Sequence, residues 1–283
     1  MSLFTETLSD GYGQSLSIDE LLFEQQTDHQ HLIIFRNRFF GRVMALDGIV
    51  QTTERDEFIY HEMMVHVPML AFGAARRVLI IGGGDGGILR EVLKHKCVEQ
   101  VVQVEIDQAV IDLCKTFLPN HSAGAFDDPR VTINIADGMA FVCEADIEPF
   151  DVIISDCTDP IGPGEVLFSS EFYQGCKRLL NPNGVFVAQN GVAFMQPDEL
   201  INTQHRLSPY FKDTRFYTVA VPTYVGGVMA LAWGCDDIEA SQLDTSILQQ
   251  RYQASKINCR YYTPSVHSSA FHLPAYMQQL IAN

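Results

Sequence analysis

The sequence predicts an α/β fold, a doubly wound and mainly parallel sheet preceded by a small antiparallel β domain. Three observations carry this. The apolar run Val78-Leu79-Ile80-Ile81 leads without a break into Gly82-Gly83-Gly84-Asp85-Gly86-Gly87. From there strand-type and helix-type patterns alternate, the order that builds parallel sheets. Before Glu54 the pattern differs, with short β-type runs separated by turn residues.

In chain order, the first β-type runs cover 14–18, 21–26, 31–36, 41–46 and 49–52, with turn signals at Asp10-Gly11, Arg36-Asn37 and Asp47-Gly48. Asp-Gly is a strong hairpin signal because both residues tolerate positive φ. Residues 1–53 therefore read as the antiparallel β domain and 54–283 as the main domain. Over 54–70 the spacing is helical, with Pro68 placed to bend or end the helix. A buried-type strand follows at 77–81, then the glycine loop and a helix through residue 95. Another strand is expected at 100–105 and a helix at 108–117. Three more strands are expected at 131–135, 152–155 and 185–189 with helices between, and a late strand at 228–233 whose pairing direction stays open.

Composition bounds the function. The 283 residues are 47% hydrophobic, enough for a large core, and no run of about 18 apolar residues predicts a membrane span. The polar, acidic N-terminus lacks the pattern of a signal peptide, so a cytoplasmic enzyme is expected. Seven cysteines at 97, 114, 143, 157, 176, 235 and 259 form no C-x-x-C pair. Neither a disulfide framework nor a zinc knuckle is expected, and most read as small core residues. His61 and His66 are five apart, not the four that places two ligands on one helix face, so no metal site is expected there. A net charge of −16 opposes nucleic-acid binding and suits a cationic substrate.

The glycine loop satisfies G-x-G-x-x-G between a strand and a helix, the context of a nucleotide-binding turn; close strand–helix packing is its plainer explanation. The strand after it ends in Glu105, about twenty residues on, where a carboxylate takes ribose hydroxyls. Asp107 is the alternative, or the cap of the next helix. Asp85 argues against a pyrophosphate, because two like charges at about 4 Å repel by several kcal/mol in a partly dry site. It attracts a ligand that carries a cation there. Asp137, after the third strand, is placed to accept from an adenine amino group or to cap the following helix.

The fourth strand runs into Asp156-Cys157-Thr158-Asp159-Pro160-Ile161-Gly162-Pro163-Gly164. Two aspartates three apart in a proline-stiffened loop can grip an ammonium group, although Asp-Pro also signals ordinary turn chemistry. Asp85, Glu105, Asp137, Asp156 and Asp159 all fall at expected strand ends, where open α/β sheets bind ligands. Together they predict an uncompensated acidic cleft that awaits a doubly or triply charged cation.

The segments GRVMALDGIVQTTERDEFIYHE at 41–62, VLIIGGGDGGILREV at 78–92, VEID at 104–107, DVIISDCTDPIGPG at 151–164 and Pro222-Thr223-Tyr224 resemble the spermidine synthases, in order and through nearly the whole chain. The resemblance implies a class I methyltransferase-like, Rossmann-type main domain and a homo-oligomer, and a homodimer is expected. It also implies decarboxylated S-adenosylmethionine (dcAdoMet) as cosubstrate, putrescine as acceptor and no further cofactor. Position by position, it implies that Gln30 and Asp85 hold the donor's aminopropyl chain and amine. Glu105 takes the ribose hydroxyls, Asp137 and Gly138 the adenine, and Pro163 lines the nucleoside pocket. Asp156 matches the proton acceptor; Asp159, Tyr60, Gln51 and Tyr224 match the diamine-binding set. His61 resembles the bacterial form and is placed to touch the acceptor. On residues alone, Tyr60 also reads as a half-buried helix residue and Gln51 as a strand-edge one. The alternative activity is a class I S-adenosylmethionine-dependent N-methyltransferase acting on a diamine, whose cofactor carboxylate would meet Asp85.

Overall fold

The computed structural model describes residues 2–9, 11–27, 29–144, 146–159 and 162–282, and does not extend to the side chains of 7–9, 162 and 163. It opens with an antiparallel pair, β1 (Ser2–Ser9) and β2 (Tyr12–Ile18), followed by a four-stranded meander of β3 (Glu20–Gln26), β4 (His31–Asn37), β5 (Gly41–Leu46) and β6 (Ile49–Thr53). The β5–β6 turn has positive φ at both Asp47 and Gly48, as the Asp-Gly signal requires. β1 was not foreseen; its polar, alternating sequence lays one face on the meander and leaves Leu3 exposed.

The continuous apolar runs of β4 and β5 have a direct cause. Ile33, Phe35, Val43 and Ala45 face a core shared with Phe4, Leu16 and Val50. Leu32, Ile34, Met44 and Leu46 face the opposite way, onto Val110, Cys114 and Leu118 of the main domain. A strand buried on both faces shows no alternation.

Helix α1 (Glu57–Phe72) crosses into the second part of the chain and is buried on all sides from Tyr60 to Ala71, its polar His61, Glu62 and His66 each finding partners. Pro68 sits inside it without ending it; Gly73, at φ 101°, does that. Then come β7 (Arg77–Gly82), α2 (Gly87–Leu93), β8 (Gln100–Glu105), α3 (Gln108–Phe117), the single turn α4 (Pro119–Ser122), β9 (Val131–Ile135), α5 (Gly138–Glu144) and β10 (Phe150–Asp156). The remainder is α6 (Ser170–Arg178), β11 (Leu180–Gln189), α7 (Pro197–Leu207), β12 (Asp213–Ala220), β13 (Val228–Cys235), α8 (Thr245–Ser255), α9 (Pro264–Ala270) and α10 (Ala275–Ile281). No helix among the described residues is long and apolar enough to cross a membrane.

The main sheet has the order β12-β13-β11-β10-β7-β8-β9. Its five strands from β11 to β9 are parallel, and β13 joins antiparallel to both β11 and β12. Helices cover both faces: α1 and α2 over one core, α5, α6 and α7 over the other. The chain leaves β7 toward β8 and β9, then returns to β10 on β7's other side. That reversal opens a crevice beyond the strand ends, where such sheets bind ligands.

Candidate active site

The row of carboxylates follows from strand order. Asp156 ends β10, the glycine loop with Asp85 leaves β7, Glu105 ends β8 and Asp137 follows β9. These strands are neighbours, so at about 4.8 Å per strand the row spans about 14 Å. All four line a single cleft of about 200 Å³, together with Gln30, Gln51, Tyr60, His61, Gly138, Asp159 and Tyr224. Pro160, Ile161 and the Pro163 side chain lie outside the described residues.

Gly82 sits where β7 meets β10. It pairs with Asp156, and a Cβ there would overlap the Asp156 carbonyl. Gly83 N–H donates to that carbonyl at 2.9 Å. The glycine loop and the Asp156 strand end are therefore joined backbone to backbone, and the loop's left-handed φ values of 81° at Gly82 and 67° at Gly83 suit glycine. Both carbonyls of that pair accept from the buried Gln103 amide.

At the β8 end of the cleft, Glu105 is buried and accepts from Asp107 N–H at 3.0 Å. Burial pushes its carboxyl up to about 7 despite that bond. Asp107 caps α3 through Ala109 N–H and also accepts from Thr27 and Gln30, which puts Gln30 on the Glu105 side of the cleft. Asp137 accepts from Ala140 N–H at 3.0 Å, so it caps α5 while facing the cleft.

At the other end, the Tyr60 hydroxyl donates to Asp156 Oδ1 at 2.6 Å. Burial, then the nearby Asp85 charge, pushes the Asp156 carboxyl up to about 6, against the pull of His61 and Tyr60. The rings of Tyr60 and Tyr224 meet edge-on at 5.8 Å, and Tyr224 donates to the Gln51 carbonyl at 3.0 Å. Burial raises both phenols well above their ordinary range, so both remain donors. Asp159 accepts from Gln196 at 3.0 Å, and burial raises its carboxyl too. Cys157 beside it is an unreactive thiol, pushed up to about 12 by burial.

One expectation is corrected. The five carboxylates are not all uncompensated, because His61 Nε2 lies 3.3 Å from Asp85 Oδ2 and its Nδ1 lies 2.6 Å from Glu57. Burial acts to raise the Asp85 carboxyl, but His61 and the Gly87 N–H outweigh it and hold the group well below the usual range. His66, by contrast, turns away to His95 and Glu91.

Several residues of this site went unread in the sequence. Glu6, from β1, reaches the cleft, accepts from Gln14 at 2.9 Å and is raised by burial. Gln189 and Gln196 hold Asp159. Glu57 and Arg90 flank His61 and Glu57 respectively. Only Glu57 carried a signal, four residues before His61 on one helix. The arrangement can bind a nucleoside along three strand ends and present an amine, held by Tyr60 and Asp156, to whatever lies over the glycine loop.

Residues 57–246 match the spermine/spermidine synthase domain, and residues 2–54 match the spermidine synthase tetramerisation domain. The chain is 58% identical to a polyamine aminopropyltransferase of Klebsiella pneumoniae over 280 residues, 99% of this chain and 98% of that one. It is 59% identical to a polyamine aminopropyltransferase of Escherichia coli over 278 residues, 98% and 96% of the two chains. Among solved structures, a spermidine synthase in complex with the transition-state analogue AdoDATO is similar at TM-score 0.94, 38% identity and 99% and 95% coverage. The spermidine synthase of Thermotoga maritima is similar at TM-score 0.91, 36% identity and 99% and 94% coverage.

Proposed function

The chain belongs to the spermine/spermidine synthase family, whose relatives above are polyamine aminopropyltransferases, and we propose that it moves the aminopropyl group of dcAdoMet to putrescine, giving spermidine and 5'-methylthioadenosine. The observation that carries this reading is the Tyr60–Asp156 pair, set one strand away from the glycine loop at the acidic end of a nucleoside-length cleft. Glu105 takes the ribose hydroxyls, Asp137 and Gly138 the adenine, and Gln30 and Asp85 the donor chain. Gln51, Tyr60, His61, Asp156, Asp159 and Tyr224 hold the acceptor.

The donor's sulfonium is already a good leaving group, so the nucleophile limits the reaction. An aliphatic amine of pKa near 10 is protonated at pH 7, and freeing its lone pair costs about 4 kcal/mol. Asp156 orients the neutral amine, with Tyr60 donating to the carboxylate's other side. As nitrogen bonds to the methylene beside sulfur, the C–S bond breaks, the sulfur keeps the electron pair, and the acidified nitrogen passes a proton to Asp156. A carboxyl pushed up to about 6 accepts that proton more readily than an ordinary aspartate. Burial of the amine and in-line alignment supply further rate. The far ammonium faces Asp159 and Glu6, two carboxylates whose buried charge a cation relieves.

Charge alone separates dcAdoMet from intact S-adenosylmethionine less sharply than the sequence suggests, because His61 already offsets Asp85. The methyltransferase alternative is set aside on the family match. Mass spectrometry of products from dcAdoMet offered a panel of diamines and polyamines tests the reading; a preferred acceptor other than putrescine would overturn it. We also propose residues 1–53 and 54–283 as the two domains, a cytoplasmic location, and a homodimer. The family match over 2–54 and the exposed Leu3 and Tyr12 of β1 and β2 support an interface there. Light scattering that returns a monomer at micromolar concentration would refute the assembly.

A further inference from the structure

We propose that Glu57 and Arg90 are positioning residues for this reaction, clamping the buried His61 ring so that it always presents an N–H to Asp85. The proposal rests on the aminopropyl-transfer reading of the cleft. Arg90 grips the Glu57 carboxylate with both arms of its guanidinium, Nη2 to Oε2 at 2.8 Å and Nη1 to Oε1 at 3.3 Å. Arg90 is itself fixed, donating to the carbonyls of Asn120 and His121 and to Glu91. A carboxylate held this way only accepts, so His61 Nδ1 at 2.6 Å must carry its hydrogen. The other ring nitrogen faces Asp85 Oδ2 at 3.3 Å; the partner oxygen takes the Gly87 N–H at 2.7 Å, and Asp85, held well below the usual carboxylate range, is an acceptor as well. A ring with a carboxylate at each nitrogen is an imidazolium.

The ring cannot tilt away. It rests on Gly87, where any Cβ would overlap it, and Tyr60 meets it edge-on at 5.6 Å. The charged and titratable groups that face it are Glu57 and Tyr60 from α1, Asp85 from the loop after β7, His121 from α4 and, at longer range, Asp156 from β10. Arg90 acts through Glu57. His121 bonds to Thr52 and is held neutral, chiefly by burial, so it does not replace the cation. The four alternating charges Arg90, Glu57, His61 and Asp85 run from α2 into the cleft and end beside Asp156. His61 opposes the rise of the Asp156 carboxyl. Glu57 and Arg90 thus set how far Asp156 stays ionised, and neither of the two lines the cleft.

Glu57→Gln preserves the volume and an acceptor for Nδ1 but removes the charge. Nitrogen-15 NMR should show His61 doubly protonated from pH 6 to 8 in the parent enzyme and neutral at pH 8 in Glu57→Gln. The acid limb of kcat/KM with dcAdoMet and putrescine should move up by about one pH unit, so that activity lost tenfold below the limb returns at higher pH. In a His61→Gln background the same change should leave the limb unmoved. Arg90→Lys, which keeps a charge but loses the fork, should give a smaller shift in the same direction if Glu57→Gln does not fold. A limb that stays in place while activity falls equally at all pH values, or a His61 ring that remains doubly protonated in Glu57→Gln, overturns the proposal. Absence of turnover with putrescine in the parent enzyme would instead sink the substrate assignment, and the NMR titration would still decide the clamp.

Discussion

Replacing Asp156 with asparagine should make the protein more stable and nearly inactive at once. Burial and the Asp85 charge raise this carboxyl from 3.8 to about 6. The gap of roughly two units, at about 1.36 kcal/mol each, corresponds to about 3 kcal/mol. Asp156 keeps some contact with water, which reduces the figure to about 1–2 kcal/mol. Because the folded value is the higher one, this group favours folding below about pH 4, and that contribution is lost as pH rises through 6. At pH 8 the ionised aspartate is therefore a liability to the fold. Asparagine carries no charge and can still accept from Tyr60. Urea unfolding at one protein concentration should show Asp156→Asn more stable than the parent by about 1–2 kcal/mol at pH 8 and equal to it near pH 3.5. In the same preparation kcat should fall by about 10²–10⁴ while donor affinity changes little. A variant no more stable than the parent at pH 8, or a gain of the same size at both pH values, would show that Asp156 is not held at a cost.

Glu105 is the second raised carboxyl, and under the proposed assignment its ionised form is the one that would accept from ribose hydroxyls. Donor affinity measured by calorimetry should therefore improve as pH rises through about 7 and be flat in Glu105→Gln; a flat parent profile would refute the assignment. Asp85→Asn removes the carboxylate charge proposed to hold the donor amine and leaves His61 facing an amide, so dcAdoMet should bind about 10- to 100-fold more weakly and its advantage over the intact cofactor should narrow. Unchanged affinities would show that Asp85 serves His61 alone. Gly87→Ala drives a methyl group into the His61 ring, at a cost of about 1–3 kcal/mol. It should lower kcat/KM at least about tenfold with its far-ultraviolet circular dichroism intact, and normal kinetics would mean that the ring is free to move.

The parts of this molecule legible in its sequence are those whose signal is local. The glycine run after Val78–Ile81, the Asp47-Gly48 turn and the helix over Gln108–Phe117 each announce themselves within a few residues, and each is where the pattern placed it. The carboxylates at strand ends were legible because strand ends were. β1 and β12 escaped because their partners, not their own patterns, make them strands: β12 exists along β13, and β1 along β2. Glu6, Gln189 and Gln196 escaped for the same reason. An ordinary glutamate on an N-terminal strand acquires meaning only when the fold carries it to Asp159, more than 150 positions away. The neutralising of Asp85 was hidden because charge counted along a chain cannot say which carboxylate meets a histidine.

The seam between Gly82 and Asp156 has a consequence for anyone redesigning the substrate. With no side chain between the two strand ends, the distance from the glycine loop to Asp156 is a property of the backbone ladder, and no point substitution there can lengthen it. The opposite wall is made of interchangeable parts: the Glu6 strand, Gln51, and the Gln196 that steadies Asp159. Variants that accept longer or shorter amines should therefore arise from that wall, while the seam stays as the fixed ruler against which every acceptor is measured.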